Sequence, residues 1–124
     1  MMKLLEDLNA WKLAREFRKN ISLMTKNFPA EEKYKLTDQM IRSSRSVSAN
    51  IAEGAGRFYF QENIAFCRKS RGSLVETLDH LYCAFDEKYI NETELNKAKE
   101  ELNILLKVLN GYISYLKKSK SGEV

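Results

Sequence analysis

Apolar residues recur every three or four positions along almost the whole chain, and the breaks between runs divide it into four helical segments. The first runs from about Leu4 to Phe28, with Leu4, Leu8, Trp11, Ala14, Phe17, Ile21, Met24 and Phe28 on one stripe. Pro29 ends it, because proline lacks an amide donor and disfavours helix in the residue before it. The second starts at about Ala30 or Thr37 and reaches Ala52, with Leu36, Met40, Val47 and Ile51 apolar and Ser44 in the intervening slot. Gly54-Ala55-Gly56 then offers residues for a left-handed helix cap.

The third segment spans about Phe60 to Glu87 through Ile64, Cys67, Leu74, Leu78, Leu81 and Phe85, with Arg71 where an apolar residue is expected. The fourth opens on Asn91-Glu92-Thr93-Glu94, a capping-box arrangement, and continues through Leu95, Ala98, Leu102, Leu105, Leu109, Tyr112 and Leu116. Residues 117–124 form a polar tail expected to fray. No strand-like alternation competes. Four helices on short connections predict an all-α, antiparallel up-down-up-down four-helix bundle, a single domain over residues 1–124.

The fourth helix carries more apolar surface than such a bundle uses. Ile104, Val108 and Tyr115 lie to one side of its main stripe, and Leu106 and Ile113 to the other. Lys107, Asn110 and Ser114 leave only a narrow polar line, and Gly111 would let a second backbone approach closely. A bundle helix needs an apolar arc of only about 100°. The excess predicts a homo-oligomer whose interface includes Ile104, Val108, Gly111 and Tyr115.

Composition narrows the setting. The 124 residues are 44% apolar and 31% charged, with five glycines and one proline, which suits a packed helical domain rather than a disordered or turn-rich chain. No uninterrupted apolar run approaches the roughly 18 residues of a membrane span. Two cysteines and an acidic start, Glu6-Asp7, where a secretory signal needs apolar residues, make a cytoplasmic location the expectation.

Catalytic chemistry finds no footing. His80 is the single histidine, and no spacing of His, Cys and carboxylate suggests a metal site. Cys67 and Cys83 lie roughly 24 Å apart on one helix, too far to pair or share a metal, and both read as buried apolar fillers. Ser43, Ser44, Ser46 and Ser48 lack a positioned base and look like small residues that let helices pack closely. Gly54-Ala55-Gly56 follows a helix, unlike a nucleotide-binding loop, which follows a strand. The expectation is a non-enzyme without cofactor or metal.

Charge is unevenly placed. Twenty-one basic and 17 acidic residues give a net +4. Arg57, Arg68, Lys69 and Arg71 face only Glu62 within residues 57–71, the tail adds Lys117, Lys118 and Lys120, and residues 72–116 are acidic. Arg42 and Arg45 form a further pair on one helical face. Arg57 precedes Phe58-Tyr59-Phe60, a cation beside rings able to stack on bases. Two readings stay open: a phosphate-binding surface built on Arg42, Arg45, Arg57, Arg68, Lys69 and Arg71, or a solvated basic surface with Phe58 and Phe60 in the core. Both signs mix on each polar face, so a membrane surface is a poorer fit. Glu53, at the negative end of the second helix, calls for a cation such as Arg57, and Asn50 for a backbone partner.

The run Leu36 to Gly54, and above all Ser46 to Gly54 with its Asn50-Ile51-Ala52-Glu53-Gly54, resembles a known family. Asp7-Leu8, Ala10-Trp11, Phe28-Pro29 and Arg71-Gly72-Ser73-Leu74-Val75-Glu76-Thr77 fit the same pattern in order. These are the small bacterial four-helix-bundle proteins first noticed as reading frames in intervening sequences of 23S ribosomal RNA genes; their older label, ribosomal protein, reflects gene location. The resemblance implies a ring-like homopentamer and kinship with the accessory variability proteins of diversity-generating retroelements, which bind nucleic acid and a reverse transcriptase. It carries no catalytic residues, and Asn50, Glu53, Gly54 and Gly56 read as a structural turn. Together these lines predict an oligomeric accessory protein that binds nucleic acid, RNA before DNA. The alternative is a scaffold that docks a protein such as a reverse transcriptase.

Overall fold

The computed structural model describes residues 4–120. Its helices are α1 (Asn9–Thr25), α2 (Leu36–Ala55), α3 (Phe60–Asp86) and α4 (Glu92–Lys120), with a short 3₁₀ turn, Ala30–Glu32, between the first two. Cross-helix hydrogen bonds give their directions. Asn20 on α1 meets Glu101 on α4, Ser43 and Ser46 on α2 meet Thr77 and Ser73 on α3, and Arg71 on α3 meets Asn110 on α4. Each helix therefore packs beside its chain neighbours and α1 closes against α4, which is the expected antiparallel four-helix bundle.

The predicted stripes form the core. Phe17 and Ile21 from α1, Met40, Val47 and Ile51 from α2, Leu74 and Leu81 from α3, and Leu102, Leu105 and Leu109 from α4 are all sealed from solvent. Burying side chains of this size contributes about 1.5–3 kcal/mol each, before the entropy of ordering them is charged. The α2–α3 contact is the most extensive and the α1–α4 contact the thinnest. Hydroxyls line the former: Ser43 and Thr77 oxygens lie 2.7 Å apart, those of Ser46 and Ser73 2.8 Å apart, and Ser70 donates to the Val47 carbonyl at 2.7 Å. These short side chains bring the two backbones close while satisfying every hydroxyl they bury. Ser44 and Ser48 are buried on the other flank of α2, where Ser48 accepts from Arg18 Nε at 3.1 Å.

The connections differ from the sequence expectations in several places. Helix α1 starts at Asn9 rather than Leu4, because Leu8 is extended and residues 4–7 form a turn in which Leu8 N–H bonds the Leu5 carbonyl. Its far end tightens over Lys26, Asn27 and Phe28 into bonds to the third residue back, which turns Phe28 inward against the Tyr89 ring at 5.4 Å. Neither Gly54 nor Gly56 is left-handed: Gly54 lies within α2, and Gly56 caps it at φ −82°. Residues 117–120 are helical rather than frayed, while 121–124 lie outside the described residues. Cys67 is buried as expected, but Cys83 is exposed, since it falls one position outside the α3 stripe.

Two turns at the far end of the bundle are locked by side chains. Asn91 Oδ1 accepts from the Glu94 N–H at 2.8 Å and Glu94 Oε1 from the Asn91 N–H at 3.0 Å, the reciprocal capping box that opens α4. Tyr89 Oη donates to Glu32 at 2.7 Å, tying the α3–α4 turn to the 3₁₀ turn. That bond, helped by the Leu36 amide, holds the Glu32 carboxyl below its ordinary range and pushes the Tyr89 phenol up to about 12.

Helix α3 ends in a Schellman motif: Tyr89 N–H bonds the Ala84 carbonyl at 2.8 Å and Lys88 N–H the Phe85 carbonyl at 3.0 Å. The left-handed position is Lys88, at φ 63°. A Cβ there crowds the following carbonyl, which glycine avoids. Lys88→Gly relieves about 1–2 kcal/mol of left-handed strain against about 0.5–1 kcal/mol of added chain entropy, so a net stabilisation of up to about 1 kcal/mol is expected, read as a rise in the thermal midpoint.

Candidate nucleic-acid interface

The Asn50–Gly56 segment is built for packing. Asn50 Nδ2 donates to the Ser46 carbonyl and to Ser46 Oγ, both at 2.9 Å, so it joins the α2–α3 hydroxyl seam as the sequence suggested. Glu53 is held by Arg57 at 3.0 Å, and Arg57 also reaches Glu62 on α3 at 3.5 Å. Gly54 sits where α2 comes closest to the start of α3. A Cβ built there would lie 2.6 Å from Asn63 Oδ1 and 3.0 Å from the Asn63 carbonyl. Asn63, itself buried, donates to Tyr112 Oη at 3.0 Å and thereby ties the same junction to α4.

The six basic residues singled out in the sequence do not form one patch. Arg42 is on the outer face of α2, 3.7 Å from Asp38. Arg45 faces α1, sharing a shallow depression with Arg18 and Lys19. Arg71 bridges to Asn110 on α4 at 2.9 Å, which explains a cation on the edge of an apolar stripe. Arg57 and Lys69 stand over the Phe66 ring, at 4.9 and 4.6 Å from its centroid.

Arg68 is the member that gathers company. Because α3 and α4 are antiparallel, the first turns of α3 lie beside the last turns of α4. There Gln61, Ile64, Arg68, Lys117 and Lys120 line one open depression of about 460 Å³. Among the described residues, none of these three cations is in an ion pair. The turn leading into it exposes three aromatic rings in succession, Phe58 at 89%, Tyr59 at 63% and Phe60 at 45%. The reading that placed Phe58 and Phe60 in the core is thus set aside. Lys117 and Lys120 were missed as site residues because they lie more than forty positions from Arg68 along the chain; the charge tally by segment was the one available hint. Phe66 carried no signal at all.

Elsewhere the surface holds less chemistry. A narrow groove of about 290 Å³ between α1 and α4 is lined by Phe17, Ile21, Met24 and Ala98, with Glu101 and Asn20 across it. Burial raises the Glu101 carboxyl above its ordinary value, partly offset by the Asn20 hydrogen bond at 3.0 Å. His80 Nε2 lies 3.1 Å from Glu76 on the same helix. Among the described residues, no group of three or more His, Cys, Asp or Glu could hold a metal, and no helix is long and apolar enough to cross a membrane.

The side of α4 keeps part of its predicted excess. Ile113 is buried and Leu106 and Val108 pack partly against the core, so the bundle absorbs more of the arc than expected. Ile104 and Tyr115 remain about half exposed, and Gly111 has nothing within 4 Å of an added Cβ. Ile104, Val108, Gly111 and Tyr115, the residues expected at an oligomer interface, share one outer face, four, three and four positions apart.

The family model for the 23S rRNA-intervening sequence protein matches residues 6–111. Among solved structures, the chain is similar to the crystal structure of a protein of unknown function from the S23 ribosomal protein family of Bacteroides thetaiotaomicron. That likeness has a TM-score of 0.78 at 22% identity and covers 85% of this chain and 95% of the other, and it bears on the fold alone. No curated protein matches the chain.

The Gly54 geometry has a measurable consequence. Gly54→Ala would push its methyl into Asn63 and Phe66, where one of the contacts is backbone and cannot swing away. Overpacking of this kind costs about 1–3 kcal/mol. Denaturant unfolding should show a loss in that range, whereas Gly56→Ala, whose Cβ meets nothing closer than 3.6 Å, should cost far less.

Proposed function

The chain belongs to the 23S rRNA-intervening sequence protein family, and on that premise we propose that it is a non-enzymatic accessory protein that binds nucleic acid. The observation that carries this reading is the convergence of Arg68, Lys117 and Lys120 on one depression beside the exposed Phe58-Tyr59-Phe60 turn. Three cations close together suit a phosphate backbone, and adjacent open rings suit bases. RNA is favoured over DNA because its loops and bulges offer unpaired bases to such rings. Of the residues first suggested, Arg68 is the principal contact; Arg57 and Lys69 flank the same end over Phe66, while Arg71, held by Asn110, and Arg42 and Arg45 add to the general positive field.

The same reading includes a homo-oligomer, with a pentameric ring as its favoured form, assembled through the α4 face of Ile104, Val108, Gly111 and Tyr115. Repetition of the basic end around a ring would multiply a weak protomer affinity. An exposed glycine in mid-helix costs about 1 kcal/mol relative to alanine, and Gly111 has no neighbour within the protomer that requires it. Close approach by another chain supplies a reason. The second reading draws on this same face: a scaffold that docks a protein, a reverse transcriptase being one candidate, with the basic residues serving solubility.

Fluorescence anisotropy with labelled RNA across a salt series tests the first reading. Binding should weaken steeply with salt, and Arg68→Ala, Lys117→Ala and Lys120→Ala combined should reduce the slope of log K against log salt by about 0.7–0.9 per lost phosphate contact. Absence of binding at low salt would remove the reading and leave the scaffold.

Light scattering tests the assembly. The expected mass is five times the 14.4 kDa protomer. Ile104→Asp should dissociate it with helicity retained. Gly111→Ala separates the two levels, raising protomer stability by up to about 1 kcal/mol while weakening assembly. A monomer at micromolar concentration would refute the interface.

A further inference from the structure

Resting on that nucleic-acid reading, we infer that the basic end is selective for single strands, with unpaired bases stacked on Phe58 and Tyr59 and the phosphates led across Arg68 toward Lys117 and Lys120. The rings are the first argument. Three consecutive aromatics stand in water at the α2–α3 turn. Phe58 and Tyr59 hold each other edge-on, with centroids 4.9 Å apart and planes at 85°. An edge-on pair leaves ring faces open, and a base stacks on a face. In a duplex the base faces are covered by their neighbours, so exposed rings on a turn gain nothing from it.

Charge supplies the direction. On one flank of the turn lie Glu53 and Glu62; Arg57 is engaged by both, at 3.0 and 3.5 Å, and stands with Lys69 over Phe66. On the other flank the depression offers Arg68, Lys117 and Lys120, with Gln61 as a neutral hydrogen-bonding group. On the Glu53–Glu62 flank the two carboxylates are balanced by Arg57 and Lys69, so a polyanion whose bases sit on Phe58 and Tyr59 is drawn instead toward the unpaired cations beside α4. Arg57 is a positioning residue here: it anchors the turn that presents the rings.

Anisotropy with a labelled twelve-nucleotide oligouridylate and with an RNA duplex of equal length tests the inference, using the full chain. The single strand should bind at least about tenfold tighter than the duplex. Phe58→Ala with Tyr59→Ala should weaken single-strand binding by about tenfold or more, in keeping with base–aromatic stacking measured by alanine substitution. The salt slope should stay unchanged, because no phosphate contact is lost. Phe58→Leu with Tyr59→Leu keeps apolar bulk without a π face and should behave like the alanine pair. Both rings are exposed, so circular dichroism and thermal midpoint should match the parent.

Equal or tighter binding of the duplex, or single-strand affinity untouched by the alanine pair, overturns the inference while the broader nucleic-acid reading stands. Leucine variants that bind like the parent would mark a merely apolar contact and also overturn it. A change in oligomeric state on removing the rings would assign them to a contact between copies instead. If neither nucleic acid binds at low salt, the broader reading fails first.

Discussion

The close approach of α2 and α3 is the constraint on which the rest of the molecule depends. Ser43, Ser46, Ser70, Ser73 and Thr77 supply side chains small enough for the two backbones to come together, and each finds a hydroxyl or carbonyl partner across or along the seam. At its end the seam tightens until only a glycine fits, with Gly54 against Asn63 and Phe66. An apolar seam of leucines would have held the helices farther apart and left their register softer, since hydroxyl pairs are directional and leucines are not. The register so fixed places Asn63 under Tyr112 and Arg71 beside Asn110, and α4 is aligned through those contacts.

That tight junction also explains the aromatic turn. Only Gly56 to Tyr59 separate α2 from α3, and Tyr59 is already extended as it enters the helix. A reversal this short between close helices has no room to fold Phe58 and Tyr59 inward. Their exposure follows from the packing beneath them and forfeits the burial energy that such rings ordinarily bring to a core. The antiparallel order of α3 and α4 then adds the basic end of α4 to the same end of the bundle. Acidic and polar capping groups, Glu32, Asn91 and Glu94 among them, close the opposite end. Arg68, Lys117 and Lys120 thereby come to the end that carries Phe58 and Tyr59, while Tyr34 with Lys33 over its ring is exposed at the other.

The two proposed activities use different surfaces. The face of Ile104, Val108, Gly111 and Tyr115 lies on the outer side of α4, whereas Arg68, Lys117 and Lys120 share the depression between α3 and α4. The proposed assembly and the proposed ligand binding therefore draw on different side chains.

Periodicity by itself determined four helices, their order and nearly all of their core, because a 3.6-residue repeat and the heptad-like stripes along α1 and α4 are local properties of the chain. The capping box at Asn91 and Glu94 and the pairing of Glu53 with Arg57 were legible for the same reason: both partners lie within four residues. Helix ends were less so, since the turn before Asn9 shares the period of a helix, and the left-handed cap fell on Lys88 rather than on a glycine. The six basic residues looked like one surface only because charge was tallied along the chain. Tertiary structure alone decided that Arg45 turns to α1 and that Arg71 is tied to Asn110, while Arg68 meets Lys117 and Lys120. The physical reason is that which side chains share a surface depends on how antiparallel helices align, and that alignment is set by contacts between residues far apart in the chain.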